Sequence, residues 1–278
     1  MYYIGKLNGK SIWLYSKINS KIKIKEIDNN RNIFYNYTGL NFLSKLKRNH
    51  KNIVFLFYGP IPMKMKGKYK VIFRGHIYNI ENTDIIYISD FLLDKYSKNY
   101  IVNWSLETEK HKTDFIYKEL FQYLLSQKKY DKIVFTGTSA GGFSSVKFAS
   151  FYKATVIISN SQLYLENYRN DSGLNLVRGA ILKEDKAIYS PKLIEKYILE
   201  SQPKEIIYYQ NKNDNNSGHS SYKDYLQFNS FLKQYNFKIV TNILFEYNGL
   251  IPEGRTQHSY QFPNNKNLLD KLKEYIKR

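Results

Sequence analysis

The sequence lacks cysteine entirely, although the chain is 278 residues long. No disulfide can form, so the covalent bonds that stabilise many secreted folds are excluded. Long apolar runs are also missing: the longest is NIVFLFYG, from Asn52 to Gly59, whereas a membrane-spanning helix needs roughly 20 residues. The opening MYYIGKLNGK has neither an uninterrupted apolar core nor a small-residue cleavage site, so we expect no signal peptide. These absences predict a soluble protein of the cytoplasm.

Acidic residues are scarce relative to basic ones, since 24 Asp and Glu oppose 43 Lys and Arg for a formal net charge of +19. Such an excess attracts polyanions such as nucleic acid, an anionic membrane or an acidic polysaccharide. Lysine far outnumbers arginine, and Asn, Ile and Tyr are abundant, which is also the composition that an AT-rich genome produces. The lysines are spread along the chain without a known nucleic-acid-reading module, so nucleic acid is not the expected partner.

Short apolar runs alternate with helix-like segments from Asn52 onward, such as the amphipathic TDFIYKELFQYLLSQKK from Thr113. Runs that are apolar on both faces and separated by helices predict a mostly parallel central sheet flanked by helices, the α/β class. The six runs are NIVFLFYG, DIIYISD, KIVFTG, ATVIIS, EIIYYQN and KIVTNILFEY, beginning at Asn52, Asp84, Lys132, Ala154, Glu205 and Lys238.

The residues before Asn52 predict an antiparallel start to this sheet. YYIGKL and KSIWLYS flank Asn8-Gly9, the strongest two-residue hairpin signal. KIKIKEI, from Lys21, alternates as a half-buried strand does, and IFYNYTG follows it. We interpret LNFLSKLKRNH, residues 40–50, as an amphipathic helix.

The domain organisation predicted from the sequence is simple. Residues 1–278 form one domain, because no repeat, linker or low-complexity tail interrupts the pattern. The segment 160–203 is longer than one crossover requires, and we interpret it as a lid or cap insertion over the sheet's carboxyl edge.

The most informative stretch is KIVFTGTSAGGFSSVKFA, where an apolar run passes through Gly-Thr-Ser-Ala-Gly-Gly into a helix-like segment. A tight strand-to-helix turn forces its central residue, Ser139, into a strained conformation, and Gly137 and Gly141 give room on either side. That geometry lifts the hydroxyl to the amino end of the helix, where N–H groups stabilise a negative oxygen. G-T-S-A-G thus matches the G-x-S-x-G nucleophile elbow. A phosphate loop of the G-x-x-x-x-G-K-S/T type and the dinucleotide pattern G-x-G-x-x-G are both absent here.

A nucleophilic serine needs a base, and in the elbow fold the chain order is serine, acid, histidine. Two of the five histidines follow Ser139 in the sequence, His219 and His258. We favour His258, which lies past the last apolar run and before the final helix-like segment. His219 begins the preceding helix-like segment, where a capping or surface role fits as well.

The predicted acid is Asp214, at the end of EIIYYQNKND, because it follows a strand directly and a polar loop comes next. Its carboxylate would orient the imidazole and stabilise its cationic form. Asp224, within a helix-like segment, and Glu205, at the start of a strand, are weaker candidates.

The oxyanion site needs two N–H donors. One is predicted at Ala140, directly after Ser139, and the second near Gly59 or Ile61, after the run NIVFLFYG. Pro60, between them, has no N–H to donate.

These residues together resemble the α/β-hydrolase superfamily: Ser139 in its elbow, Asp214 after a strand and His258 near the end of the chain. IISNSQLYLENY, after the elbow, resembles the N-P-Q-type stretch of bacterial proteins linked to capsule and surface polysaccharide synthesis, with Ser161 in place of the proline. That group includes O-acetyltransferases with a Ser-Asp-His triad. The resemblance implies transfer of an acetyl group from acetyl-CoA, as co-substrate, to a hydroxyl of an anionic polysaccharide. It implies no permanently bound cofactor and no metal.

Three other functions stay open at this point. The same three residues serve an esterase or deacetylase that uses water as acceptor. A non-catalytic accessory protein of polysaccharide or secretion assembly would keep the fold and leave Ser139 inert. The hypothesis that the protein binds nucleic acid depends on the charge alone, and it predicts an affinity that falls steeply with salt concentration.

Overall fold

The computed structural model describes residues 2–7, 10–14, 32–37, 40–59, 79–92, 104–167, 188–214, 221–252 and 256–278. Within these ranges the strands are β1 (Tyr2–Leu7), β2 (Lys10–Leu14), β3 (Asn32–Tyr37), β4 (Leu40–Lys45), β5 (Asn52–Phe57), β6 (Thr83–Ile88), β7 (Lys132–Thr138), β8 (Thr155–Ser159), β9 (Glu205–Asn211) and β10 (Val240–Phe245). The helices are α1 (Thr113–Ser126), α2 (Ala140–Tyr152), α3 (Leu193–Glu200), α4 (Ser221–Gln234) and α5 (Leu268–Lys277).

The described strands form one sheet in the order β1-β2-β3-β4-β6-β5-β7-β8-β9-β10. Its last six members, from β6 to β10, are all parallel to their neighbours. Every residue of β5, β6 and β8 is buried, as expected for a parallel sheet with both faces covered. The predicted α/β class and its central parallel sheet are confirmed.

Successive residues of the central strands point into two separate cores, since side chains alternate between the faces of a sheet. Phe55 and Phe135 belong to the core that also contains residues of α1, α2 and α4. Val54 and Val134 face the opposite core, to which α5 contributes Leu268 and Leu272. The sheet is therefore a middle layer between two layers of helix.

The first four strands are paired in a mixed pattern. β1 and β2 are antiparallel, β2 and β3 parallel, and β4 is antiparallel to both β3 and β6. The Asn8-Gly9 turn and the run KIKIKEI lie outside the described residues.

The amphipathic helix predicted for residues 40–50 is wrong, because this segment contains β4. Leu40, Phe42, Ser44 and Leu46 are all buried, and residues two positions apart on a strand face the same side of the sheet. β4 lies beside β6 and pairs with it in an antiparallel arrangement. Pairing with a neighbouring strand thus overrides the local helical spacing.

Part of the predicted lid, residues 160–203, can be located. Asn160 to Leu165 are buried against the sheet, and α3 packs on α2. Residues 168–187 lie outside the described part, so the lid stays a prediction, as does the single-domain organisation. Among the described helices, none combines the length and the apolar character needed to cross a bilayer.

Candidate active site

Ser139 lies at the junction of β7 and α2 with a backbone φ of 55° and ψ of −126°. A positive φ is uncommon for a residue with a side chain, and it persists only when the surrounding structure enforces it. Here the Ser139 N–H donates to the carbonyl of Ser159 (3.2 Å), and the Ser139 carbonyl accepts from the N–H groups of Gly142 (3.0 Å) and Gln162 (3.1 Å). Neighbouring backbone therefore fixes the strained turn from both sides.

The glycines around Ser139 are required because neighbouring atoms lie too close to leave room for a side chain. A Cβ on Gly137 would overlap the backbone of Gly141, and one on Gly141 would lie 2.5 Å from the carbonyl oxygen of Phe57. A Cβ on Gly142 would overlap the side chain of Ser161. The strand and the helix can meet at this angle only because these positions lack side chains.

Ser139 and His258 both line a cavity of about 400 Å³. Ser139 is 4 % exposed, and its Oγ has no hydrogen-bond partner among the described residues. A buried hydroxyl without a partner is costly and rare in folded proteins. The hydroxyl thus retains an unused capacity for hydrogen bonding at the lining of this cavity.

Asp214, which is buried, and His258, which is partly exposed, form a hydrogen-bonded pair beside this cavity. The distance between His258 Nδ1 and Asp214 Oδ2 is 2.7 Å, and Ser221 Oγ donates to the same carboxylate oxygen. The Asp214 side chain is 2 % exposed and that of His258 is 22 % exposed. Because the carboxylate can only accept, it places the imidazole proton on Nδ1, which leaves Nε2 as the basic nitrogen of the neutral ring.

The three predicted residues are therefore brought to one edge of the sheet from distant parts of the chain. Ser139 follows β7, Asp214 follows β9, and His258 lies in the short 3-10 turn Gln257–Ser259 after β10. All three follow the carboxyl ends of parallel strands, the edge at which open α/β sheets bind their ligands.

The weaker acid candidates lie elsewhere. Glu205 opens β9 and so lies at the opposite end of that strand from Asp214. Asp224 accepts hydrogen bonds from the N–H groups of Leu163 (2.8 Å) and Tyr164 (3.0 Å) and from Asn167 Nδ2 (2.9 Å). Burial raises the pKa of Asp224 to about 7, while these hydrogen bonds oppose the rise. Through these hydrogen bonds Asp224 holds residues 163–167 against α4.

His219, the alternative base, lies outside the described residues, and so does Ile61, one of the predicted oxyanion donors. Ala140 is the first residue of α2, a position whose N–H has no acceptor within the helix. Gly59 lines the cavity beside the elbow, since a Cβ built on it would lie 3.5 Å from Ser139 Cβ. The oxyanion assignment of Ala140, Gly59 and Ile61 stays a prediction.

The walls of the cavity combine apolar and cationic side chains. Tyr58, Phe262 and Leu268 line it together with Lys266. The hydrogen bond between Lys266 Nζ and Glu274 (2.7 Å) raises the pKa of Lys266 above its usual value. Lys266 is therefore an ammonium ion at neutral pH. Among the described residues, no set of side chains by itself identifies a coenzyme A site.

Sequence reasoning missed two buried asparagines that contact the backbone of residues 257–260, here called the histidine turn. Asn160 Nδ2 donates to the carbonyl groups of His258 (3.3 Å) and Tyr260 (3.1 Å). Asn211 Nδ2 donates to the carbonyl group of Gln257 (3.1 Å). Both asparagines end or follow predicted strands at the carboxyl edge, which is the one signal that the sequence offers for them.

Gly142 provides a test of the elbow's packing. Gly142→Ala is expected to lower the free energy of unfolding by about 1–3 kcal/mol, because the new methyl group overlaps the Ser161 side chain. The same change inside an ordinary helix stabilises by about 1 kcal/mol, so the sign of the effect is diagnostic. Urea unfolding measures it. Adding Ser161→Gly removes the overlapping atoms and should restore much of the lost stability. If Gly142→Ala alone is as stable as the parent, this packing is contradicted.

No family model matches the sequence, and a search of curated proteins finds no match. Two structures of the capsule O-acetyltransferase of Neisseria meningitidis serogroup A superpose with TM-scores of 0.55 and 0.53, each at 14 % identity over 77 % of this chain and 86 % of theirs. An esterase from the bacterial hormone-sensitive lipase family superposes with a TM-score of 0.50, at 11 % identity over 88 % of this chain and 83 % of its own. At such low identities the likeness concerns the fold and not the activity. This chain has the α/β-hydrolase fold.

Proposed function

We propose that this protein is a serine-dependent O-acetyltransferase that moves an acetyl group from acetyl-CoA to a hydroxyl of a bacterial capsular or surface polysaccharide. Ser139 is the nucleophile, His258 the general base and Asp214 the residue that orients the imidazole. The observation that carries the proposal is the 2.7 Å hydrogen bond between His258 and the buried Asp214, beside a cavity that contains the strained Ser139.

In the first half-reaction, Ser139 Oγ attacks the thioester carbonyl carbon while His258 Nε2 accepts the hydroxyl proton. The carbonyl oxygen becomes an oxyanion, which the N–H groups of Ala140 and Gly59 stabilise. The tetrahedral intermediate collapses, the carbon–sulfur bond breaks, and the coenzyme A thiolate takes the proton from His258. Ser139 is left as an acetyl ester, and Asp214 stabilises the imidazolium that forms in between.

In the second half-reaction, an acceptor hydroxyl attacks the acetyl-serine ester, and His258 takes its proton. Collapse of the new intermediate returns that proton to Ser139 Oγ. The products are free coenzyme A and an O-acetylated sugar. If water takes the place of the sugar hydroxyl, the same steps release acetate.

One observation supports an anionic acceptor, and a second supports a capsular one. The net charge of +19 creates a field that draws an anionic polymer, or the phosphates of coenzyme A, toward the surface. The fold is also similar to that of a capsule O-acetyltransferase. The charge is compatible with a hydrolase as well, so the acceptor has to be tested directly.

The test incubates candidate capsular polymers with acetyl-CoA and the protein, beside a Ser139→Ala control, and measures polymer mass and free acetate. An acetyl mass gain that requires Ser139 is the expected result. Acetate release that depends on Ser139 and is unchanged by any polymer would replace the transferase with the esterase. An equal mass gain with the Ser139→Ala variant would exclude the mechanism proposed here.

A further inference from the structure

Asn160 links the end of β8 to β9 and to the histidine turn at the carboxyl edge of the sheet. It follows β8, is fully buried, and has a backbone φ of 42°. Its N–H donates to the carbonyl of Tyr209 (3.0 Å), and its Oδ1 accepts from the N–H of Asn211 (2.9 Å). Its Nδ2 donates to the carbonyls of His258 and Tyr260. Every hydrogen-bonding group of this side chain therefore contacts backbone of β9 or of the histidine turn.

The chemistry of these partners explains why asparagine occupies this position. The carbonyl groups of His258 and Tyr260 can only accept and the N–H of Asn211 can only donate, so the orientation of the amide is fixed by its neighbours. Asparagine also tolerates a left-handed backbone better than most residues. Asp, its nearest isostere, would direct a carboxylate oxygen at two carbonyl oxygens.

The short segment that contains Asn160 contacts the elbow as well as the histidine turn. Ser159 accepts the N–H of Ser139 through its carbonyl, and its own hydroxyl donates to the carbonyl of Gln261, beyond the histidine. Gln162 donates its N–H to the carbonyl of Ser139. Residues 159–162 thus hold the backbone on both sides of the reacting pair.

We propose that Asn160 is a positioning residue that sets the distance between His258 and Ser139 through the backbone of the histidine turn. This inference rests on the proposed function, in which the two side chains exchange a proton. Asp214 fixes the imidazole through its side chain, and Asn160 fixes the carbonyl groups at residues 258 and 260. Proton transfer tolerates little displacement: a misplacement of about 1 Å lowers rates by about 10²-fold.

The chosen variant is Asn160→Gly, which keeps the left-handed backbone without strain and removes the side chain with its amide. Labelling by a fluorophosphonate probe separates two quantities, the fraction of molecules labelled and the rate constant per labelled site. We expect an unchanged fraction and a rate constant about 10²-fold lower. Asn160→Asp should be at least as slow. A merely structural role would instead lower the labelled fraction and leave the rate constant of the folded molecules intact.

The matched control is Asn52→Gly. Asn52 is also buried, and its Nδ2 donates to a backbone carbonyl, that of Asn82 (3.2 Å). It opens β5 and so lies at the opposite edge of the sheet from Ser139. Asn52→Gly should label at the parent rate. If Asn160→Gly also labels at the parent rate, the positioning role is wrong, whereas labelling of the parent at Ser139 would still support the proposed function.

A second readout does not require the parent protein to be active. The proton shared by His258 Nδ1 and Asp214 should give a low-field proton resonance in the NMR spectrum, assigned by its disappearance in Asp214→Asn. Asn160→Gly is expected to broaden or abolish this signal, because a freed turn lets water exchange with the proton. A signal equally sharp in the parent and in Asn160→Gly, or none in the parent, would overturn the inference even if the probe labels neither protein.

Discussion

Ser139→Ala is expected to lower kcat for acyl transfer by about 10⁵- to 10⁶-fold, and His258→Ala by a similar factor. The two residues act in one step, since the hydroxyl attacks only as its proton passes to the imidazole. Once either group is gone, the other contributes almost nothing. The double variant should therefore be no slower than the slower single variant, and its residual rate should come from binding and the oxyanion donors alone.

The measurement is initial-rate kinetics on an activated acetyl ester, with acetyl-CoA and an active polymer as the second assay. Ser126→Ala is the matched control, since Ser126 is exposed on α1 and bonds only locally, donating to the carbonyl of Tyr123 (2.8 Å) and accepting from Gln127 Nε2 (3.4 Å). It should retain the parent rate. If the loss in the double variant equalled the product of the two single losses, Ser139 and His258 would be acting independently, and the proposed proton transfer between them would be wrong.

The sequence was sufficient to predict the fold class and to select residues that meet at one edge. The apolar runs from Asn52 onward required two covered faces, and the glycines around Ser139 are unusual enough to mark a tight strand-to-helix turn. Asp214 and His258 were chosen from their places after strands. In a parallel sheet such positions share an edge whatever the intervening sequence, so the prediction needed no knowledge of side-chain contacts.

What the sequence could not provide depends on neighbours that are distant along the chain. Residues 40–50 have apolar spacing compatible with a helix, but pairing with β3 and β6 makes residues 40–45 a strand. Asn160 looks like one of many asparagines until the carbonyl groups of His258 and Tyr260 are found beside its amide. Lys147 is the strongest such case, since a lysine in the sequence predicts an exposed residue and the structure buries it completely.

Lys147→Ala is expected to lower the free energy of unfolding by about 3–5 kcal/mol, the usual cost of breaking a buried ion pair by removing one partner. Lys147 lies on α2, the helix that Ser139 precedes, and its side chain is 0 % exposed. Its ammonium group pairs with Asp114 in the first turn of α1 and donates to the carbonyl of Ser105 (2.9 Å). The faces of the Phe148 and Tyr197 rings lie 5.0 and 5.4 Å away. The truncation leaves a buried carbonyl and a mostly buried carboxylate without this cation, and it opens a cavity.

The Ser105 carbonyl belongs to a strained segment, which adds to the expected loss. Ser105 has a φ of 51°, and its N–H donates to Asp90 Oδ2 (2.7 Å) while its hydroxyl bonds to Ser144 Oγ on α2 (3.0 Å). Lys147 is thus one of several contacts that hold this turn against the elbow helix. Removing the ammonium group weakens the support for a conformation that is unfavourable by itself.

Urea unfolding of three variants separates the ion pair from the packing. Lys147→Met keeps most of the volume and leaves Asp114 unpaired, so it should still lose most of the stability. Lys147→Met combined with Asp114→Asn removes both charges and should recover much of it, since a buried pair replaced on both sides is often neutral. The exposed pair of Lys196 and Glu200, at 66 % and 53 % side-chain exposure, is the control, and Lys196→Met should cost less than about 0.5 kcal/mol. A double variant as unstable as Lys147→Met would show that the lost contact to Ser105, and not the unpaired carboxylate, sets the cost.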